Sequence, residues 1–169
     1  SSRQTATISR NGDLVSRLYL QCVLANGVAY AEDSPGYSQL DVVELEIGGQ
    51  RIDKHYGHWM EVWSELTESN PTGLETAAAN TATNGTRFQR MSMAGGIAAG
   101  TVPAGTYFVP LQFWFCRNPG LALPLIALQY HEVKVNVTYS ATYETGAAVS
   151  LWADYIYLDT DERRRFAQV

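Results

Sequence analysis

The side chains of this sequence whose types and spacing could make or break bonds are three histidines and two pairs of carboxylates. His55 and His58 lie three apart, a spacing that on a helix brings two imidazoles toward one metal ion, with His131 and Glu132 available to complete the ligand set. The same spacing suits ordinary packing of His55 beside Tyr56 with His58 turned to solvent, and this is the favoured reading. A metal-dependent enzyme built on a cupin-type sandwich wants two histidines alternating on one strand, and the sequence has no H-x-H. Glycoside cleavage needs two carboxyl groups about 5 to 10 Å apart, which Glu44 with Glu46, or Asp154 with Asp159, would supply. No specific aromatic sugar platform accompanies either pair, so a solvated strand face is the better account. There is no G-x-S-x-G and no cysteine with a histidine at motif spacing, which leaves nucleophilic catalysis without a candidate. No residue is therefore assigned a catalytic, metal-binding or cofactor-binding role, and no cofactor is expected. Two tripeptides match the N-glycosylation pattern, at Asn84 and Asn136, the first in a loop and the second in a strand.

The elements that must hold these residues follow from periodicity. Val43, Leu45 and Ile47 alternate with Glu44 and Glu46, the pattern of a half-buried strand, which Gly48 and Gly49 end in a tight turn. Asp53 then reads as the N-cap of an amphipathic helix near 53–66, whose face of Tyr56, Trp59, Met60, Trp63 and Leu66 packs on the sandwich and carries Gly57 in its interior. Arg10-Asn11-Gly12-Asp13 reads as a hairpin between an alternating first segment and a strand from Leu14 to Leu24. Tyr107 to Cys116 is apolar on both faces, as in a strand covered on both sides, with Pro110 implying an edge or a bulge. His131 to Tyr139 and Val149 to Leu158 alternate cleanly, and between these strands Asn118-Pro119-Gly120 turns into a compact apolar segment broken near Pro124. Several short strands, one main helix and no βαβ rhythm predict an all-β antiparallel sandwich, jelly-roll or immunoglobulin-like. Residues 67–104, rich in Thr, Ala, Asn and Gly, form one long loop of the kind that is functional, disordered or covered by a partner.

Composition narrows the function classes. The 169 residues suffice for one domain with a core, and no apolar run is long enough to span a membrane. Ten tyrosines, four tryptophans and fourteen glycines with 17% charged residues suit a β-rich domain with broad contact surfaces. A formal charge of -5 argues against wrapping nucleic acid, and the acids at 159, 161 and 162 offset the one dense basic run, Arg163 to Arg165. Cys22 and Cys116 sit in apolar alternating segments and read as buried free thiols. The first residue is not methionine and the alternation is under way by Thr5, so the chain reads as part of something longer.

Four segments carry a family resemblance: SRNGDL at Ser9 to Leu14, VELEIGGQRIDKHY at Val43 to Tyr56, PLQFWFCRNPGLALPLIALQYHEVK at Pro110 to Lys134, and DYIYLDTDERRRFAQ at Asp154 to Gln168. In type and order they resemble the major capsid proteins of nucleocytoplasmic large DNA viruses, such as the phycodnavirus, iridovirus and mimivirus groups. The resemblance implies the first, incomplete half of a double jelly roll, spanning residues 1–169, with a second jelly roll C-terminal to it. It also implies a structural subunit of an icosahedral virion shell, forming homotrimeric, pseudo-hexagonal capsomers that meet neighbouring capsomers and minor capsid proteins and assemble in the host cytoplasm. An internal viral membrane would lie near without being entered, and nucleic acid would not be touched. The loop 67–104 would be an exterior or intersubunit loop. A carbohydrate-binding or glycan-active sandwich is the alternative.

Overall fold

A computed structural model describes residues 2–24, 35–70, 86–94, 104–140 and 148–168. Two antiparallel four-stranded sheets face one another. In the first, β1 (Arg3–Thr7), β7 (Val133–Tyr139), β3 (Leu40–Ile47) and β4 (Gln50–Tyr56) lie side by side in that order. In the second, β2 (Leu14–Leu24) is central: β8 (Ala148–Ile156) runs along one side, while β5 (Gly105–Pro110) and the short β6 (Leu123–Pro124) share the other.

The alternation read from the sequence is the alternation that builds the core. Val133, Val135, Val137 and Tyr139 of β7, with Val43 and Leu45 of β3, point inward and are 5% exposed or less. Val15, Leu18, Leu20 and Cys22 meet them from β2, where a register shift between Val15 and Arg17 inserts one extra residue and returns Leu18 to the face of Val15. Each such aliphatic side chain, fully buried, contributes about 1.5 to 3 kcal/mol.

Three expectations are corrected. The helix begins at Gly57, as α2 (Gly57–Thr67), and residues 50–56 are strand. The N-cap propensity of Asp53 loses to pairing with β3, from Val42–Tyr56 to Ile47–Gln50, and the Asp53 carboxylate turns to the Lys54 amide. Gly57 is thus a helix-start residue in a close approach: a Cβ there would stand 2.1 Å from the Leu40 carbonyl oxygen and 2.2 Å from that of Tyr37, at the end of α1 (Pro35–Ser38). Of the expected helix face, Met60 is buried and both indoles are half-buried, but Leu66 is 77% exposed. Second, SRNGDL is no hairpin. β1 pairs with β7 and β2 with β5, β6 and β8, so the turn carries the chain from one sheet to the other. Third, the strand at 107 stops at Pro110, and Trp114–Cys116 is a 3-10 turn that drives Phe113 and Phe115 into the core, each 0% exposed.

The Gly48–Gly49 turn is as expected, with φ of 59° and 82°. Asn118 accepts from the Gly120 amide at 2.8 Å and opens the 3-10 turn Pro119–Leu121, and Leu125–Leu128 forms another. Within the expected loop 67–104, the described residues contain α3 (Arg87–Ser92), started by a reciprocal capping box between Thr86 and Gln89. A final helix, α4 (Thr160–Ala167), has the same device in Asp159 and Glu162.

Candidate functional site

The residues singled out for chemistry do not converge. His55 lies at the end of β4, its ring 4.6 Å from Trp59 and 5.0 Å from Phe113. His58 is exposed on α2 and stacks on Tyr56 at 5.6 Å. His131 sits at the opposite end of the sandwich, over the Gly48 turn, where Arg10 donates to its carbonyl at 2.8 Å and to that of Leu128. Among the described residues no three His, Cys, Asp or Glu side chains are grouped to hold a metal ion. Burial pushes the His55 imidazole below its ordinary 6.5, Asp53 opposes that shift and Arg117 adds to it. Nε2 stands 3.3 Å from the Asp53 carboxylate, the group that opposes the shift. Nδ1 is buried and unpartnered among the described residues, so a proton there would have no acceptor.

The paired carboxylates are spent on the outer face of the first sheet. Glu44 accepts from Arg3 at 3.1 Å and Arg51 at 3.0 Å, one from each flank. Asn136, 4% exposed, accepts from the Thr5 hydroxyl at 2.6 Å and donates to Glu46 at 3.1 Å. The amide nitrogen of this glycosylation tripeptide is thus already engaged inside a ladder paired on both sides. Asn84 lies outside the described residues. Asp159 caps α4, and Asp154 is exposed on β8.

Both cysteines are free; burial pushes each thiol up to about 11, so neither is a thiolate nucleophile at neutral pH. Asp13, its carboxyl lowered chiefly by the hydrogen bond from Arg163 and then by that from the Leu158 amide, pins α4 to the root of β2. That ion pair, 2.9 Å at its shortest, sets Arg163 against a partner distant in sequence rather than against the acidic residues beside it.

The second sheet offers the concave surface that sequence reasoning missed. Where the neighbour of β2 changes from β5 to β6, the chain from Leu111 to Ala122 loops away, with Leu111 still donating to the Leu18 carbonyl. Over this gap lie the C-terminal turns of α2 and the side of α3, leaving a cleft of about 470 Å³ walled by Tyr19, Trp63, Phe88 and Met91. Arg17 and Arg117 line it too. Arg117 rests over Trp63, 4.3 Å from the ring centroid, with Trp59 at 5.7 Å and the two indoles stacked at 5.6 Å. Arg17 reaches the Tyr19 hydroxyl at 3.5 Å, and among the described residues Glu68 is the one lining carboxyl, pushed up by burial and lowered in part by Arg17. Beside the cleft the outer face is aromatic: Trp152, 57% exposed, aligns across β2 with Tyr19 and Pro110 and donates to Gln21 at 2.5 Å. Four distant segments compose this surface, and no local spacing announces it.

Among known proteins, residues 1–159 match the family described as "Major capsid protein N-terminus". The chain is 49% identical to the major capsid protein of Pyramimonas orientalis virus, covering 98% of this chain and 42% of the relative. It is 39% identical to that of Paramecium bursaria Chlorella virus 1, covering 99% and 39%. In three dimensions it resembles a chain of the quasi-atomic model of the PBCV-1 virus capsid with a TM-score of 0.79 at 38% identity, across 99% of this chain and 41% of that one. The Faustovirus major capsid protein shares the fold at a TM-score of 0.53 and 12% identity. The likeness to the PBCV-1 capsid chain identifies the sandwich as the jelly roll rather than the immunoglobulin-like alternative. The chain spans about 40% of the length of these curated relatives. Two sheets joined by a crossing turn, a helix seated on Gly57 and carboxylates committed to cross-strand pairs thus meet a match over nearly every residue: the chain belongs to the major capsid protein family of large DNA viruses.

Proposed function

We propose that the protein containing this chain is a structural subunit of an icosahedral virion shell, in which three copies form a pseudo-hexagonal capsomer. The observation that carries the reading is the family match over residues 1–159, joined to a fold likeness at a TM-score of 0.79 with a capsid chain. The chain supplies the first jelly roll, and a second, C-terminal to residue 169, completes the subunit. The work is repeated burial of surface between copies and against neighbouring capsomers and minor capsid proteins, without catalysis and without nucleic acid. Capsomers assemble in the host cytoplasm, and Asn84 is the better placed of the two tripeptides to carry a glycan, because Asn136 is committed to Glu46.

Light scattering on the full-length protein after size exclusion tests this directly. A mass of three subunits is expected; a stable monomer at micromolar concentration overturns the reading. Peptide mass spectrometry of native virions reads the modification state of Asn84 in the same material.

A further inference from the structure

The cleft on the second sheet has the composition of an anchor pocket, with Trp, Tyr, Phe, Met and Arg around a concave floor. Its charge is unbalanced. Arg17 faces Glu68 and, across the strand pair, Asp154, whereas Arg117 forms no ion pair among the described residues although the chain as a whole is acidic. Stacked on Trp63, Arg117 is held in place and keeps N–H donors to offer, the condition under which Arg captures a carboxylate with least further loss of freedom.

We propose that this cleft receives a carboxylate-bearing segment of a second copy of the full-length chain, with Arg117 as its anchor; this rests on the capsomer reading above. Charge and shape select the occupant. A cationic hollow is not complementary to itself, so the contact joins two different patches of the same chain, head to tail. Contacts of that kind close rings of three, whereas a self-complementary patch closes pairs. In a shell built from many copies of one chain, the segment facing such a hollow belongs to another copy. The aromatic walls exclude water around the ion pair, and the sign of the charge sets the orientation of approach.

The test uses full-length protein. A photo-crosslinking amino acid at Met91, on the cleft wall, is placed in a one-to-one mixture of light and heavy-isotope copies. Mixed-isotope crosslinks to a peptide containing Asp or Glu are expected. In parallel, Arg117→Glu should raise the concentration at which trimers dissociate by at least about thirtyfold, with Arg117→Lys intermediate and the subunit still unfolding cooperatively, its melting lowered only by the lost stacking on Trp63. A monomeric wild type overturns the capsomer reading and this one together. A trimeric wild type whose crosslinks stay within one chain, or are absent, overturns only the cleft assignment, as does an Arg117→Glu trimer as stable as wild type.

Discussion

The outer faces of the two sheets are made from similar strands and do opposite things. On the first, the groups around Glu44 and Asn136 answer one another: Arg3 and Arg51 are paired by Glu44, and Asn136 by Thr5 and Glu46. On the second, Trp152 and Tyr19 form an aromatic row ending at Pro110, beside a cleft in which Arg117 has no ion pair among the described residues. A face that satisfies its own polar groups is finished as a surface in water. One that leaves cations and aromatic rings unanswered is finished by something else.

The comparison breaks most severely if the shared core is emptied. Phe113, buried and stacked 5.7 Å from Phe115, supports both sheets, and Phe113→Ala should cost about 3 to 5 kcal/mol in chemical denaturation. Gly57→Ala forces a methyl group against two carbonyl oxygens and shifts α2 off its seat. A loss of roughly 1 to 3 kcal/mol is expected, together with faster proteolysis around α2, the roof of the cleft. Asn136→Ala sharpens the contrast, because it strips partners from Thr5 and Glu46 and should cost about 1 to 3 kcal/mol while leaving the mass of the proposed trimer unchanged. His55 gives a smaller, pH-dependent effect. Its folded-state value lies below the ordinary 6.5, so its contribution is fully present above that pH and is lost as pH falls from there toward the folded value. The melting temperature should drop over that interval in wild type, and His55→Gln should flatten the drop. Trp152→Ala should change subunit stability by only about 0.5 kcal/mol or less, and a change in dissociation of the proposed trimer without a change in melting would mark its face as the contact surface.

These contrasts were unequally legible in the sequence. β3, β7 and β8 could be read because their alternation is the burial pattern itself, and the Gly48–Gly49 turn because both residues need positive φ. The helix start was misplaced since Asp53 is a good cap locally, and only the distant β3 makes its segment a strand. SRNGDL has hairpin chemistry, yet its flanks pair with strands more than 80 residues away in sequence, which no turn signal encodes. α3 and α4 did leave a trace, the T-x-x-Q and D-x-x-E capping patterns at Thr86 and Asp159, hidden by low-complexity surroundings and by a run of charges. The cleft left none, because it exists only where a central strand changes neighbours.

The clasp between Arg163 and Asp13 has a mechanical consequence. Tension applied to α4 is taken up first by the two Nε contacts at 3.0 and 3.1 Å, in parallel with the Leu158 amide on the same carboxylate. Asp13 stands at the root of β2, which is hydrogen-bonded on both flanks, so the load that the clasp carries enters the sheet at its central strand as well as through β8, the strand that leads into α4.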